Sequence, residues 1–183
     1  PLDHRVAPTG TRGGSAAAEA RLRSFLAAGL PRYAEERNAP DAEATSGLSP
    51  WLHAGHLSSF EVVRDVLARE GWGPHLLAPK ADGSRAGWWG LSPGAEAFLD
   101  QVVTWRELGF VTCGRRPDHQ EYGSLPEWAR ATLARHARDR RAWRYSRDAF
   151  EAARTHDPLW NAAQRELVRE GVVKLLAHED DLE

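Results

Sequence analysis

Thr45-Ser46-Gly47-Leu48-Ser49 places three hydroxyl side chains and a glycine directly ahead of Pro50. Hydroxyls, the backbone N–H groups of a glycine-bearing turn and the unpaired N–H groups of a helix start are the donors that hold phosphate oxygens. A second group lies far along the chain. Asp157 followed by Pro158 reads as an N-cap and a first helical residue, and Trp160, Asn161 and Gln164 follow on that helix. Between the two stands Trp105-Arg106-Glu107-Leu108, which joins a wide π surface to a cation. Each group also has a plainer reading. A bare Thr-Ser-x-x-Ser is a polar loop with Ser49 as a helix N-cap, Trp105 is a core tryptophan beside an intrahelical ion pair, and Trp160 joins an apolar stripe. His53 and His56 have a spacing that suits two metal ligands, but no third ligand lies near them, and no metal site is expected.

The elements that must position these residues are helical. Ser15 is expected to cap a helix with Leu22, Phe25 and Leu26 on one face and Gly29 as its stop, followed by a short helical piece over 31–37 and a loop over 38–50. Ser58 and Glu61 have capping-box spacing for a helix to Arg69, with Gly71 ending it. A glycine-rich loop over 71–91 leads to Ser92-Pro93 and a longer helix to Val111, carrying Phe98, Leu99, Val102, Trp105 and Leu108 at helical spacing. After a polar loop over 114–123, Ser124 and Glu127 give a second capping box for a helix to Arg138. Ser146 and Asp157 then open two more. No β alternation and no internal repeat is found. The fold class expected is all-α, with a linker over 1–14 and one helical domain over 15–183 whose long loops line a site.

The bulk composition excludes several function classes. At 183 residues with 42% hydrophobic and 27% charged residues, the chain has the make-up of a soluble globular domain. No apolar run reaches membrane-spanning length and no secretory leader is visible, so a cytoplasmic location is expected. Cys113 is the single cysteine, which rules out an intrachain disulfide and a cysteine metal site. Net charge is −2, so nothing in the total points to nucleic acid, yet residues 130–147 carry seven arginines against one aspartate. That run reads either as a solvated helix face or as a phosphate-facing patch. Eight tryptophans are unusual, and the absence of methionine suggests a piece of a longer or processed chain.

Taken in order, Tyr33 and Arg37, the Thr45–Ser49 segment with its LSPWLHAGHLS continuation, WREL at 105–108 and THDPLWNAAQ at 155–164 resemble the flavin-binding domain of the DNA photolyase/cryptochrome family. The resemblance is strongest to class II cyclobutane-dimer photolyases and covers residues 15–171. It implies a multi-helix FAD-binding domain of photolyase type, truncated at its C-terminus, with FAD as cofactor and UV-damaged DNA as partner. By that resemblance Tyr33, Thr45, Ser46, Gly47, Leu48, Ser49, Arg106 and Asn161 bind the cofactor, Gln164 lies near it, and Arg37 contacts DNA. Trp105 packs on the damaged base, and Trp160 belongs to a chain of aromatic residues that passes electrons to the flavin.

One position departs from the family pattern. The family carries a glutamate one turn before the tryptophan, where this chain has Gln101. A glutamine can hydrogen-bond a pyrimidine dimer but cannot protonate its anion. Asp100 is adjacent, but an ideal α-helix turns it about 100° away. The function implied is light-driven repair of cyclobutane pyrimidine dimers by electron transfer from reduced FAD, in a monomer, with this piece alone inactive. The alternatives are a cryptochrome-like flavin photoreceptor without repair activity and a cofactor-free helical binding domain.

Overall fold

The computed structural model describes residues 8–39, 42–79 and 87–170, and every described regular element is a helix. The expected linker is therefore described only from residue 8, and the segment 171–183 lies outside the described residues.

The core is built by the first half of the chain. α1 (Ser15–Ser24) runs without a break into a π-helical turn, Phe25–Gly29, a 3-10 turn, Leu30–Arg32, and the short α2 (Tyr33–Glu36). After α3 (Ser49–His53) and α4 (Ser59–Arg69), the chain returns through α5 (Pro93–Leu99), which packs on α2 and the 3-10 turn before it. Leu22, Phe25, Leu30, Leu48, Val62, Val66 and Leu99 are fully enclosed. At their centre the rings of Phe25, Tyr33 and Phe98 meet pairwise at 4.7–5.8 Å, with Tyr33 edge-on to both phenylalanines.

Two glycines permit this closeness. A Cβ on Gly94 would stand 2.0 Å from the Leu30 carbonyl oxygen, so α5 reaches the Leu30 backbone only because position 94 has no side chain. A Cβ on Gly29 would meet the Phe25 ring at 2.6 Å. Gly29 therefore does not stop the first helix as expected. It lets the helix pass the aromatic cluster with a widened turn.

Several caps follow the sequence reading. Ser58 and Glu61 form the full reciprocal box, with Glu61 N–H donating to the Ser58 hydroxyl at 3.1 Å and Ser58 N–H to the Glu61 carboxylate at 2.8 Å. Ser92 and Ser146 each accept from the N–H three residues on, and Asp157 accepts from Trp160 N–H at 3.0 Å. Others differ. Gly14, not Ser15, occupies the first N-cap. Ser49 is already the first residue of α3, with Leu48 as N-cap. The second capping box does not form. Tyr122–Ser124 make a 3-10 turn, and α7 (Glu127–His136) begins two residues later than read, with Pro126 as an N-cap that has no side-chain acceptor.

The long helix also runs further than expected. α5 continues through a π-helical stretch, Asp100–Trp105, into α6 (Arg106–Arg115). α8 (Arg147–Glu151) and α9 (Pro158–Glu170) complete the described chain. This second half buries little. Ala162 and Glu166 are its enclosed residues, while Phe110, Trp128, Trp143 and Leu159 are each more than half exposed.

Candidate functional site

The sequence placed Arg37 far from the helix that carries Gln101 and Trp105, and the fold brings the three to one cavity. It has a volume of about 470 Å³ and is lined by Ala34, Arg37, Pro93, Ala97, Asp100, Gln101 and Trp105. Ala34 lies in α2 and Arg37 at its end, and the others come from α5 and the π-helical stretch, so packing of α2 on α5 creates the site. Small residues at 34 and 97 leave the space, and the Trp105 indole, about half exposed, forms a flat wall.

The π-helical stretch corrects one expectation. In a regular α-helix, positions five apart point about 140° away from each other, and neighbours about 100°. A π-turn closes its hydrogen bonds from i to i+5 and brings those positions close to alignment. Accordingly the Trp105 Nε1–H donates to Asp100 Oδ2 at 3.0 Å, and Gln101 Nε2 lies 3.4 Å from the same oxygen. Asp100 does not face away from Gln101. Both line the cavity, and the carboxylate orients indole and amide together. With its NH₂ turned to a carboxylate, Gln101 leaves its Oε1 as the acceptor for a ligand.

Beneath this cavity Tyr33 is enclosed, and burial pushes its phenol above the ordinary value while the neighbouring Arg37 guanidinium opposes that shift. Arg37 Cζ lies 5.7 Å from the Tyr33 ring centroid, so the aromatic cluster also supports the cation at the cavity wall.

The Thr45–Ser49 turn is organised by a residue that the sequence reading did not single out. Arg21 of α1 donates from Nε to the Ser46 carbonyl at 2.7 Å and from Nη2 to the Thr45 carbonyl at 3.0 Å. Gly47 has a φ of +62°, the left-handed region that favours glycine, and a Cβ there would lie 3.1 Å from the Arg21 guanidinium. Leu48 is buried in the core and anchors the turn, while Thr45, Gly47 and Ser49 are exposed. The carbonyls are thus drawn onto a fixed cation, and exposed hydroxyls stand beside it. No sequence signal links Arg21 to a turn 24 residues away; only the packing of α1 against the loop does.

The remaining candidates are engaged locally. Arg106 pairs with Glu107 and lies 4.6 Å from the Phe110 ring centroid. The Asn161 amide holds the preceding turn, donating to the Thr155 carbonyl at 2.8 Å and accepting from Thr155 N–H at 2.9 Å. Gln164 donates to the Glu151 carbonyl at 3.2 Å. Trp160 packs edge-on against Phe150 at 5.2 Å. His56 accepts from Gly14 N–H at 3.2 Å. Among the described residues no group of three or more potential ligands could hold a metal ion, and no helix is long and apolar enough to cross a membrane.

No family model matches the chain. Individual proteins do. It is 39% identical over 163 residues to a deoxyribodipyrimidine photo-lyase of Oryza sativa subsp. japonica, covering 87% of this chain and 29% of that protein. It is 33% identical over 158 residues to the photo-lyase of Potorous tridactylus, covering 86% and 26%, respectively. A third, from Methanothermobacter thermautotrophicus, is 34% identical over 164 residues, covering 90% and 32%. Among solved structures, a class III photolyase from Agrobacterium tumefaciens superposes with a TM-score of 0.57 at 23% identity, over 88% of this chain and 28% of that one. The chain thus spans between a quarter and a third of the length of these relatives. Over most of its own length it is related to the deoxyribodipyrimidine photo-lyases, and its helical fold is of photolyase type.

Proposed function

We propose that this photolyase-related chain supplies part of a flavin-dependent site for light-driven repair of cyclobutane pyrimidine dimers in DNA, of the class II kind its motifs resemble. The observation that carries the reading is the cavity in which Arg37, Gln101 and Trp105 converge. Trp105 offers a flat face on which an unstacked base can rest. Gln101 Oε1 accepts from the imide N–H of a pyrimidine, and Arg37 holds a DNA phosphate at the rim. The Thr45–Ser49 turn, backed by Arg21, fits the diphosphate of FAD. The one-electron, light-driven chemistry of dimer splitting would be supplied by reduced FAD held at this site. The chain itself binds and orients the base. The arginines of residues 130–147 extend the cationic surface for the DNA backbone.

Flavin retention after gel filtration, followed by repair of an oligonucleotide carrying one thymine dimer, tests the reading. The chain is expected to retain FAD, and Thr45→Ala with Ser49→Ala to lose it. DNA affinity is expected to fall as salt rises, with a shallower slope for Arg37→Ala. No retained flavin sinks the reading. Gln101 favours one second reading, a flavin light sensor, because an amide cannot donate the proton that an acid would. Photoreduction without repair, combined with repair gained in Gln101→Glu, selects it.

A further inference from the structure

Among the described residues that line the cavity, Asp100 is the carboxylate. It is half-buried, as is Gln101 beside it. Within the π-helical stretch its Oδ2 receives the Trp105 indole N–H at 3.0 Å and faces Gln101 Nε2 at 3.4 Å. An ionised carboxylate has only acceptors, whereas a carboxamide has one end that donates and one that accepts. Turned over, Gln101 would set its Oε1 against an anionic oxygen, two acceptors with no proton between them. Asp100 thus removes a freedom that glutamine otherwise has. A carboxamide without such a neighbour turns over at little cost and serves either kind of ligand. Here the NH₂ end is held and Oε1 is the end a ligand meets. Across the cavity Arg37 brings donors alone, so the α5 side accepts and the α2 side donates.

We propose that Asp100 is a positioning residue that sets the specificity of the cavity. It fixes Gln101 as an acceptor, so that the site takes a pyrimidine edge carrying a ring N–H and rejects one whose ring nitrogen is bare. A thymine or uracil edge has an N–H at N3 between two carbonyls. A cytosine edge has a lone pair at N3 and an exocyclic amine beside it. Cyclobutane formation saturates the 5,6 bond and leaves both edges as they were. Against Oε1, the thymine N3–H completes a hydrogen bond, while cytosine N3 sets acceptor on acceptor. The cytosine amine reaches Oε1 only if the ring slides along the Trp105 face. Asp100 itself touches no ligand and acts through Gln101. The entry of a pyrimidine dimer rests on the reading under Proposed function, whereas the held amide rests on the hydrogen bonding around Asp100.

The test titrates the full chain with two oligonucleotides that differ only in carrying a thymine dimer or a freshly prepared cytosine dimer. The thymine dimer is expected to bind about tenfold more tightly or better, and a thymine dimer methylated at both N3 atoms to lose that advantage. In Asp100→Ala the amide is free to turn, and the ratio of the two affinities should collapse toward unity. Asp100→Asn keeps one oxygen for both donors and should keep the preference. A merely structural role for Asp100 would lower both affinities together and leave their ratio as it was. Equal affinities in the unsubstituted chain, or a ratio unchanged in Asp100→Ala, therefore overturn the proposal. Nuclear magnetic resonance reads the amide without DNA. The two Gln101 NH₂ protons, identified by their loss in Gln101→Glu, should be widely separated in shift and draw together in Asp100→Ala. A separation indifferent to Asp100→Ala overturns the held amide. Binding of neither dimer counts against the proposed function and leaves the resonance experiment to decide what Asp100 does.

Discussion

Tyr33 shows how one buried group ties the core to the site. Its phenol is held above the ordinary 10.0, chiefly by burial, with Arg37 opposing. A raised pKa in the folded state favours the protonated phenol. Its contribution to stability is therefore complete below the unfolded value near 10.0 and lost as pH rises through the folded value. In an alkaline titration followed by phenolate absorbance, one of the three tyrosines is expected to ionise late, and Tyr33→Phe to remove that phase. Glu96 is a second residue with a single structural duty. It is almost fully buried, and its Oε1 accepts from Trp89 N–H at 3.0 Å and Leu91 N–H at 3.3 Å, while Oε2 has no partner among the described residues. Glu96→Gln keeps the acceptor and is expected to change stability little. Glu96→Ala strands two backbone donors and should cost about 2 kcal/mol or more in chemical denaturation. Equal losses in both variants would contradict this account.

The helices that were legible in advance were those with an N-cap signal written into a few adjacent residues. Ser58 with Glu61, Ser92 with Pro93, and Asp157 with Pro158 all cap as read, because a cap is a short-range competition for unpaired N–H groups. The π-helical turns were not legible. Each contains ordinary helix-compatible residues, and what the widened turn brings together shows only in the fold: the Phe25 ring beside Gly29, and Asp100 with Trp105. The backbone contact between α5 and Leu30 was equally hidden. Gly94→Ala places a carbon 2.0 Å from a carbonyl that cannot turn aside. It is expected to destabilise the fold by about 3 kcal/mol or more and to lower the melting temperature sharply. A melting temperature close to that of the unsubstituted chain would show that α5 can be displaced without loss.

Across the whole molecule, burial is uneven. The enclosed side chains belong to residues 18–99, apart from Ala162 and Glu166, while α6 to α9 expose large apolar residues along most of their length. Opening free energy follows buried contact. Native-state hydrogen exchange should therefore protect the amides of α1, α4 and α5 far more than those of α6, α7 and α8. Uniform protection would mean that the second half is held by contacts that burial does not reveal.

The amino-acid sequence by itself determined the helical class and most of the caps, and it supplied the list of candidate residues. These depend on residue type and short spacing, which local physics reads directly. Only the tertiary structure decided which candidates share a site. Arg37 meets Gln101 and Trp105 because Gly94 lets α5 close on Leu30, and Asp100 joins them because a π-turn rotates it inward. Arg21 reaches the Thr45–Ser49 turn, and Tyr145 reaches His156, across separations that no local pattern encodes. Such meetings are set by packing, where the fit of distant surfaces, not the preference of any one segment, fixes the geometry.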